Sequence, residues 1–376
     1  MTRIKTLLIC LLALFTVGCA ETHYAMRYGQ VEGEHIWPSA PDIPRFRYVG
    51  ELTGEDNFQA LDQGGAGTAI KEFFKTLVGL GSGGENRKML YRPQTGAVSA
   101  DGRIYVTDAG RQGVFVFDEA AGKLAVWEVG GKADDGDEIA FVSPVGIAFG
   151  RNGDVLVADS AQQQIFRLNN QGVPQSRFGF GDLERPTGLA VDPATGRIFV
   201  ADTGEHNIKV FDDSGKLTAI IGKVGEHPGE FNAPTHLAFA GGKLYVTDTF
   251  NARIQVFDAD GHFQEEVGRR GLYLGNLVRP KGVAADSEGN IYIIESFHDY
   301  LLVYEAGGRF LLPIGGTGSG VGQFYLPAGV WTDKRDRVYV ADMFNGRVVI
   351  FQYLSEKRPD KMDSDVTHAA VKEANK

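Results

Sequence analysis

The sequence predicts an all-β fold, a six-bladed β-propeller in which each blade has four antiparallel strands. Two observations predict it. A segment that opens with proline and contains several short apolar strands recurs six times. The acidic residues that end the second strand of successive copies stand 51, 43, 46, 47 and 47 positions apart. A period in the forties with four short strands per unit is typical of propellers.

Each copy has the same internal order. The first strand follows a proline, the second ends in an acidic residue, and a third strand follows a turn that contains Asn or Gln. A fourth strand then closes on glycine, as at Gly222 and Gly268. The apolar runs lack strict alternation, which indicates strands buried on both faces between neighbouring blades. The six copies begin at Pro93, Pro144, Pro186, Pro234, Pro280 and Pro327.

The sixth copy is incomplete, because it stops after its third strand near Tyr353. Residues 45–52 form a strand-like segment that has no blade of its own. We expect this N-terminal strand to complete blade six, which closes the ring without an exposed edge. The propeller is therefore predicted over residues 45–353. The charged tail at 354–376 has almost no large apolar residues and is expected to be flexible.

An insertion at residues 54–90 separates the N-terminal strand from blade one. Within it, residues 68–78 carry apolar side chains at helical spacing and predict a short amphipathic helix. Two interpretations are open. The apolar stripe packs on the propeller, or it docks a protein partner or lipid. The stripe consists of Ile70, Phe73, Phe74, Leu77 and Val78.

The N-terminus predicts export. Arg3 and Lys5 precede an apolar run at 7–17 that is too short to span a bilayer, so residues 1–18 are interpreted as a signal peptide. The run ends in Gly18-Cys19, which resembles a bacterial lipobox and implies lipidation of Cys19. The alternatives are ordinary cleavage nearby or a plain core cysteine.

The lipobox resemblance implies a location. It places the protein in the bacterial cell envelope, lipid-anchored, with residues 19–44 as a tether. Ala20 after the cysteine favours the outer membrane by analogy. Cys10 lies in the signal, so the mature domain would have no disulfide, no Cys-zinc site and no Cys-bound haem. The formal net charge of −10 opposes nucleic-acid binding.

The repeat itself resembles a known family. Pro-x-Gly-Val-Ala-Val-Asp, then Ile-Tyr-Val-Ala-Asp, then Asn-x-Arg-Ile-x-Val-Phe is similar to the NHL repeat, over residues 93–353. The stretch from Trp37 to Gly54 resembles the opening of a bacterial family of exported NHL-repeat proteins. The resemblance implies a non-catalytic binding or assembly module that serves envelope complexes. These include complexes that handle multihaem c-type cytochromes.

Departures from the repeat mark candidate functional positions. His236 stands where the other blades carry glycine, and Glu295 replaces the repeated Asp before an altered turn at 296–300. The connection 132–138 is acidic. Strand topology puts these departures and the insertion on one face, opposite the tether and the tail. The candidate binding-face residues are His236, Lys281, Glu295, Phe297, His298, Tyr300, Phe73 and Phe74.

An enzymatic alternative remains at the sequence level. It is a metal-dependent lyase or hydrolase at the channel mouth, implied by a resemblance to peptidyl-hydroxyglycine amidating lyases. His236 and His298 would be metal ligands, Glu295 the general base and Tyr300 a further catalytic group. We assign no cofactor. The alternatives are Zn²⁺ at these two histidines with His206, or Ca²⁺ held by the acidic loop of Asp134, Asp135, Asp137 and Glu138.

Overall fold

The computed structural model describes residues 24–29, 31–61, 87–133 and 135–355. Several predictions lie outside these residues: the signal peptide 1–18, the lipidated Cys19, the helix that carries Phe73 and Phe74, and nearly all of the tail. Within the described ranges, no helix has the length and apolar character needed to cross a membrane.

The described chain is almost entirely β-structure, with short 3-10 turns at Glu55–Asn57 and Thr249–Asn251. In chain order, the strands are β1 (Tyr24–Met26), β2 (Ile36–Trp37), β3 (Phe46–Leu52), β4 (Phe58–Ala60), β5 (Pro93–Val98), β6 (Ile104–Asp108), β7 (Gly113–Asp118), β8 (Lys123–Trp127), β9 (Val129–Lys132), β10 (Glu138–Ala140), β11 (Pro144–Phe149), β12 (Val155–Asp159), β13 (Gln164–Leu168), β14 (Pro174–Phe178), β15 (Pro186–Val191), β16 (Ile198–Asp202), β17 (Asn207–Phe211), β18 (Leu217–Ile221), β19 (Pro234–Ala240), β20 (Lys243–Asp248), β21 (Arg253–Asp258), β22 (Phe263–Val267), β23 (Pro280–Ala285), β24 (Ile291–Glu295), β25 (Tyr300–Tyr304), β26 (Phe310–Gly315), β27 (Val330–Thr332), β28 (Arg337–Asp342) and β29 (Arg347–Tyr353).

These strands form six antiparallel blades, so the predicted propeller is confirmed. Blades one to five are the four-stranded sheets β5–β8, β11–β14, β15–β18, β19–β22 and β23–β26. In each of these five blades the first strand begins at the predicted proline. Blade six differs, because β27 begins at Val330 and not at Pro327.

The hydrophobic core lies between the blades and not within them. Each cluster of buried apolar side chains joins two neighbouring sheets. For example, Phe199 of blade three stacks on Phe239 of blade four, with ring centroids 5.8 Å apart. The second strands are buried along their whole length in blades one, two, three and five, and in blade four along all but Lys243, as the lack of alternation predicts. A single blade therefore has no core of its own.

The ring closes as predicted. Strand β3 pairs antiparallel with β29, from Leu52 opposite Val348 to Phe46 opposite Tyr353. The backbone N–H of Leu354 also donates to the Arg45 carbonyl at 2.8 Å. The fourth strand of blade six thus comes from the N-terminal part of the chain.

The described part of the predicted tether is folded onto the propeller. Strand β1 pairs with β4, and β2 adds a fifth strand to blade six outside β3. Apolar contacts hold these segments in place. Met26 is buried in the core, and the Trp37 ring packs edge-on against the Phe351 ring, with centroids 5.4 Å apart. Asn57 connects the segment around Arg27 to strand β3 through hydrogen bonds. Its side chain donates to the carbonyls of Arg27 and Glu51, each at 2.9 Å.

The acidic connection between blades one and two is a hairpin, where the sequence predicted only a loop. Strands β9 and β10 pair with Glu138 opposite Lys132. Gly130 and Gly131 permit this, because side chains there would collide with the ring of Phe166. Asp134 lies outside the described residues.

Candidate functional site: the upper face and the central channel

The strand register defines two faces. Pro144 pairs with Asp159 and Pro280 with Glu295, so first strands begin where second strands end. We call this edge the upper face. It also carries the turns between second and third strands. Strand β3 begins and β29 ends at the opposite, lower edge. His236, two residues after the start of its first strand, and the blade-five turn at 296–300 both lie towards this upper face.

The repeated acidic residues on the upper face are structural. Asp108 is fully buried and accepts backbone N–H groups from Tyr91 at 2.7 Å and Arg92 at 3.0 Å. It also accepts from Gly110 and Arg111, each at 2.9 Å. The carboxylate thereby joins the start of its blade to the turn after its second strand.

Glu295 occupies the same scaffold position. It is 1% exposed and accepts from the backbone N–H of Arg279 at 2.7 Å and of His298 at 2.9 Å. Phe297 N–H is a further donor at 3.3 Å, and His298 Nδ1 lies 2.9 Å from Oε2. A carboxylate whose two oxygens are both occupied by donors of the turn is poorly placed to act as a general base.

The rest of the blade-five turn is brought to the upper face. Phe297 is 56% exposed, and its ring meets the ring of His298 edge-on at 4.9 Å. Tyr300 begins β25, pairs with both Glu295 and Gly315, and packs on the core between blades four and five. His298 is held by Glu295 and does not line the central channel, whereas His236 does.

The first strands of all six blades wall a central channel with a cavity of about 260 Å³. Neighbouring first strands approach closely near its mouth. A Cβ added at Gly188 would lie 2.7 Å from the Thr235 carbonyl oxygen and 2.8 Å from the His236 Cα. Glycine at position 188 is therefore a packing requirement. Two of the six copies carry a side chain at this point of the repeat, Thr95 in blade one and His236 in blade four, so the prediction that His236 alone departs from glycine is wrong.

His236 is electrically neutral at ordinary pH. Burial, reinforced by the nearby charge of Lys281, lowers its pKa from 6.5 to about 3. Both ring nitrogens are buried and lack a hydrogen-bond partner within the described part of the chain. The described residues also hold no group of three or more His, Cys, Asp and Glu side chains suited to a metal ion.

Lys281 lies close enough to His236 for its charge to lower the pKa of the imidazole. Lys281 is half-buried, and its pKa is lowered by burial and then by the charges of Arg279 and Arg92. Arg92 lies over the Phe344 ring, 5.7 Å from its centroid. His206, the third histidine of the predicted zinc alternative, instead accepts the Ala233 N–H at Nδ1, 2.9 Å away, and so joins blades three and four.

Sequence reasoning singled out Phe297 on the upper face but missed the set of exposed aromatic side chains to which it belongs. They lie in turns and connections, where no periodicity marks them. The available signal was an aromatic residue at a turn position that other copies fill with small or polar residues. The set, which we call the aromatic ring, is Tyr91, Phe180, Phe250, Tyr273, Phe297, Tyr325 and Phe344.

Comparisons with known families agree with this architecture. Residues 74–244 match the SMP-30/gluconolactonase/LRE-like region, and residues 276–375 match a family described as a 6-bladed beta-propeller. A 56-residue stretch is 38% identical to the human E3 ubiquitin-protein ligase NHLRC1, covering 15% of this chain and 14% of the ligase. The rat protein of that name is 37% identical over 60 residues, 16% of this chain and 15% of its own length. The chain thus spans about a seventh of these relatives.

Solved propellers superpose over most of the chain. An auxiliary nutrient binding protein from Bacteroides thetaiotaomicron gives a TM-score of 0.55 at 12% identity, covering 71% of both chains. The protein so described from Bacteroides ovatus gives 0.54 at 14% identity, covering 89% of this chain and 78% of its own. A catalytically inactive virginiamycin B lyase from Staphylococcus aureus with quinupristin gives 0.51 at 13%, covering 89% and 97%. At these identities the likeness concerns the fold alone: the chain is a six-bladed β-propeller, and its repeats are consistent with the NHL family.

Proposed function

We propose that this protein is a non-catalytic binding module of the bacterial cell envelope, which presents its upper face to a protein partner. The aromatic ring carries this proposal. Its members are between 47% exposed, at Tyr325, and 85% exposed, at Tyr273. Large apolar patches on a soluble domain mark interaction surfaces, and aromatic side chains are the commonest anchors of protein interfaces.

The chemistry of the surface favours a protein partner over a lipid surface. Arginines stand beside the aromatic side chains: Arg92 lies over Phe344, and Arg111 lies 6.0 Å from the centroid of Tyr91. Exposed carboxylates such as Glu184 share the face. Aromatic residues with arginine and charges of both signs are typical of protein–protein interfaces.

Two further observations support a binding role in the envelope. Two of the solved propellers with this fold are described as auxiliary nutrient binding proteins of Bacteroides species. The described chain begins at the lower edge, where the Tyr24 carbonyl lies against Gly122 in a lower turn. A lipid on Cys19 would then leave the upper face pointing away from the membrane. A multihaem c-type cytochrome complex is the partner that the family resemblance suggests.

The second candidate is a metal-dependent lyase or hydrolase at the channel mouth. It is favoured by His236 in the channel wall and by the match of residues 74–244 to a region named after gluconolactonase. It is weaker for two reasons. Both oxygens of Glu295 accept hydrogen bonds from the turn, and His298 stands outside the channel lining.

The test is a crosslinked pull-down of the tagged full-length protein from native membranes, read by mass spectrometry and haem absorbance. The double variant Phe180→Ser, Tyr273→Ser removes two side chains of the aromatic ring. The matched control is Val173→Ser, Ile220→Ser, which removes two exposed apolar side chains that do not belong to the aromatic ring. We expect a stoichiometric partner that the control retains and the first variant loses. Equal capture by both variants contradicts the proposal, and about one retained metal per chain with no partner supports the enzyme.

A further inference from the structure

We propose that the mouth of the central channel is a binding site for a small aliphatic carboxylate, with Lys281 as its principal anion-binding residue. This site is distinct from the aromatic ring, since it lies on the propeller axis and takes a small molecule. The inference therefore goes beyond the protein-binding role.

The first observation is positive charge without a counterion. Lys281, Arg279 and Arg92 are near enough to one another for the two arginines to lower the pKa of the lysine. Across the described ranges, the ammonium of Lys281 and the guanidinium of Arg279 have no carboxylate partner. The whole chain has a formal net charge of −10, so free carboxylates are plentiful elsewhere. A half-buried lysine beside like charges is costly unless an anion joins it.

The residue type at this position sets blade five apart. The first strands of blades one to five all shift register here, so the backbone irregularity is part of the repeat. In blade five the Gly282 N–H donates to the Ala328 carbonyl of blade six at 2.8 Å, which holds the backbone next to Lys281. Only blade five places a cation here. The corresponding residues are Gln94, Val145, Thr187, Thr235 and Ala328.

The second observation is that buried nitrogen atoms in the channel wall lack hydrogen-bond partners within the described residues. His236 and Trp331 both line the cavity. The two ring nitrogens of His236 and Nε1 of Trp331, a residue that is 6% exposed, are buried without a partner in the described part of the protein. Buried polar groups in native proteins are nearly always satisfied, so these groups indicate bound molecules in the channel. A neutral imidazole supplies one N–H that a carboxylate can accept.

The remaining wall defines the rest of the ligand. The channel is otherwise lined mostly by apolar side chains, among them Ala97, Ile147 and Leu189. Its volume of about 260 Å³ is below the range of roughly 300–1,000 Å³ that is usual for pockets holding drug-sized ligands. An anionic head at Lys281 and His236 with a short aliphatic tail in the channel matches both the charge and the walls.

The test is isothermal titration calorimetry of the full mature chain with sodium acetate, butyrate and hexanoate, and with neutral hexanamide. We expect affinity to rise about fourfold for each methylene that enters the channel, and hexanamide to bind at least tenfold more weakly than hexanoate. Lys281→Met should weaken hexanoate at least tenfold, and Lys281→Arg should retain it. The control is Lys216→Met, an exposed lysine in a turn at the lower edge.

Three outcomes overturn the site: no heat with any carboxylate, equal binding of hexanoate and hexanamide, or equal binding by the parent and Lys281→Met. A double variant Trp37→Phe, Trp127→Phe leaves Trp331 as the only tryptophan of three. Its emission should then change with hexanoate, and an unchanged spectrum would place binding elsewhere. Phe180→Ser, Tyr273→Ser should bind hexanoate normally, so a failure here is separable from a failure of the partner hypothesis.

Discussion

Arg347 Nη1 donates to Glu51 Oε2 at 2.8 Å, although the two residues are 296 positions apart in the chain. The same guanidinium binds the buried Asp342 through Nε at 2.8 Å. Blade four repeats the arrangement within one continuous segment. There, Arg253 donates to Asp248 at 2.8 Å and to Glu266 of its own fourth strand at 2.6 Å. The N-terminal strand therefore supplies blade six with the fourth-strand carboxylate that this arginine needs.

Replacing Arg347 by Met should destabilise the fold by about 3–5 kcal/mol, because it leaves the carboxylate of Asp342 buried without its cation. Arg253→Met should cost a similar amount for the same reason. The two variants differ in one readout. Only Arg347→Met should speed hydrogen exchange of the β3 amides, since only there does the arginine hold the N-terminal strand. Equal protection of β3 in the two variants would show that Glu51 adds nothing to ring closure.

Acid should weaken the fold through His236. Its folded pKa of about 3 lies below its ordinary value of 6.5. As the pH falls below 6.5 the unfolded chain takes up the proton first, so stability falls by about 1.4 kcal/mol per pH unit until about pH 3. His236→Asn removes the titration. Urea unfolding at pH 7, 5 and 4 should show a steeper loss in the parent, and parallel losses would mean that water solvates the ring.

Gly50 in β3 tests how closely the N-terminal segments pack. Its φ is +147°, and an added Cβ would lie 2.6 Å from the Tyr28 Cβ and 3.0 Å from the Gly29 carbonyl oxygen. Gly102 also has a positive φ, +90°, but an added Cβ there meets nothing within 4 Å. Thermal unfolding should show Gly50→Ala losing about 1–3 kcal/mol more than Gly102→Ala, because overpacking adds to backbone strain. If both variants lose the same stability, backbone strain alone explains the loss and the close packing at Gly50 contributes nothing.

Asn57 should be needed to keep residues 24–29 folded onto the propeller. Its side-chain oxygen accepts the N–H of Thr53 at 2.7 Å and of Gly54 at 3.1 Å, and its amide donates to two carbonyls. Asn57→Ala removes all four bonds and should cost about 2–4 kcal/mol. Limited proteolysis should then cut near Arg27 well before the blades unfold. Asn170→Ala, at an exposed turn, is the control and should leave the cleavage pattern unchanged.

The sequence predicted the architecture well because a repeat presents the same signal six times. The prolines, the acidic strand ends and the missing strand of blade six each pointed to one answer. The short strands outside the six repeats were harder to predict. Strands β1, β2 and β4 occur once and are two or three residues long. Their pairing depends on contacts with distant residues that no local pattern encodes.

The candidate site was likewise predicted only in part from the sequence. His236 was found because it breaks a repeated glycine, and the structure places it in the channel wall. The sequence singled out Glu295 by the same reasoning, yet the residue performs the scaffold role of the Asp it replaces, since one extra methylene still reaches the turn amides. The other six members of the aromatic ring went unnoticed because exposure in a turn is a property of the folded surface.

The borrowed strand of blade six has a consequence for synthesis and assembly. During translation β3 emerges before any of the blades, but its partner β29 emerges after them, so one sheet must stay unfinished until nearly the whole propeller has been synthesised. In that interval two chains are able to exchange their β3 strands, so that each chain completes blade six of the other. The product would be a domain-swapped dimer with native hydrogen bonds, and slow folding at high protein concentration would favour it.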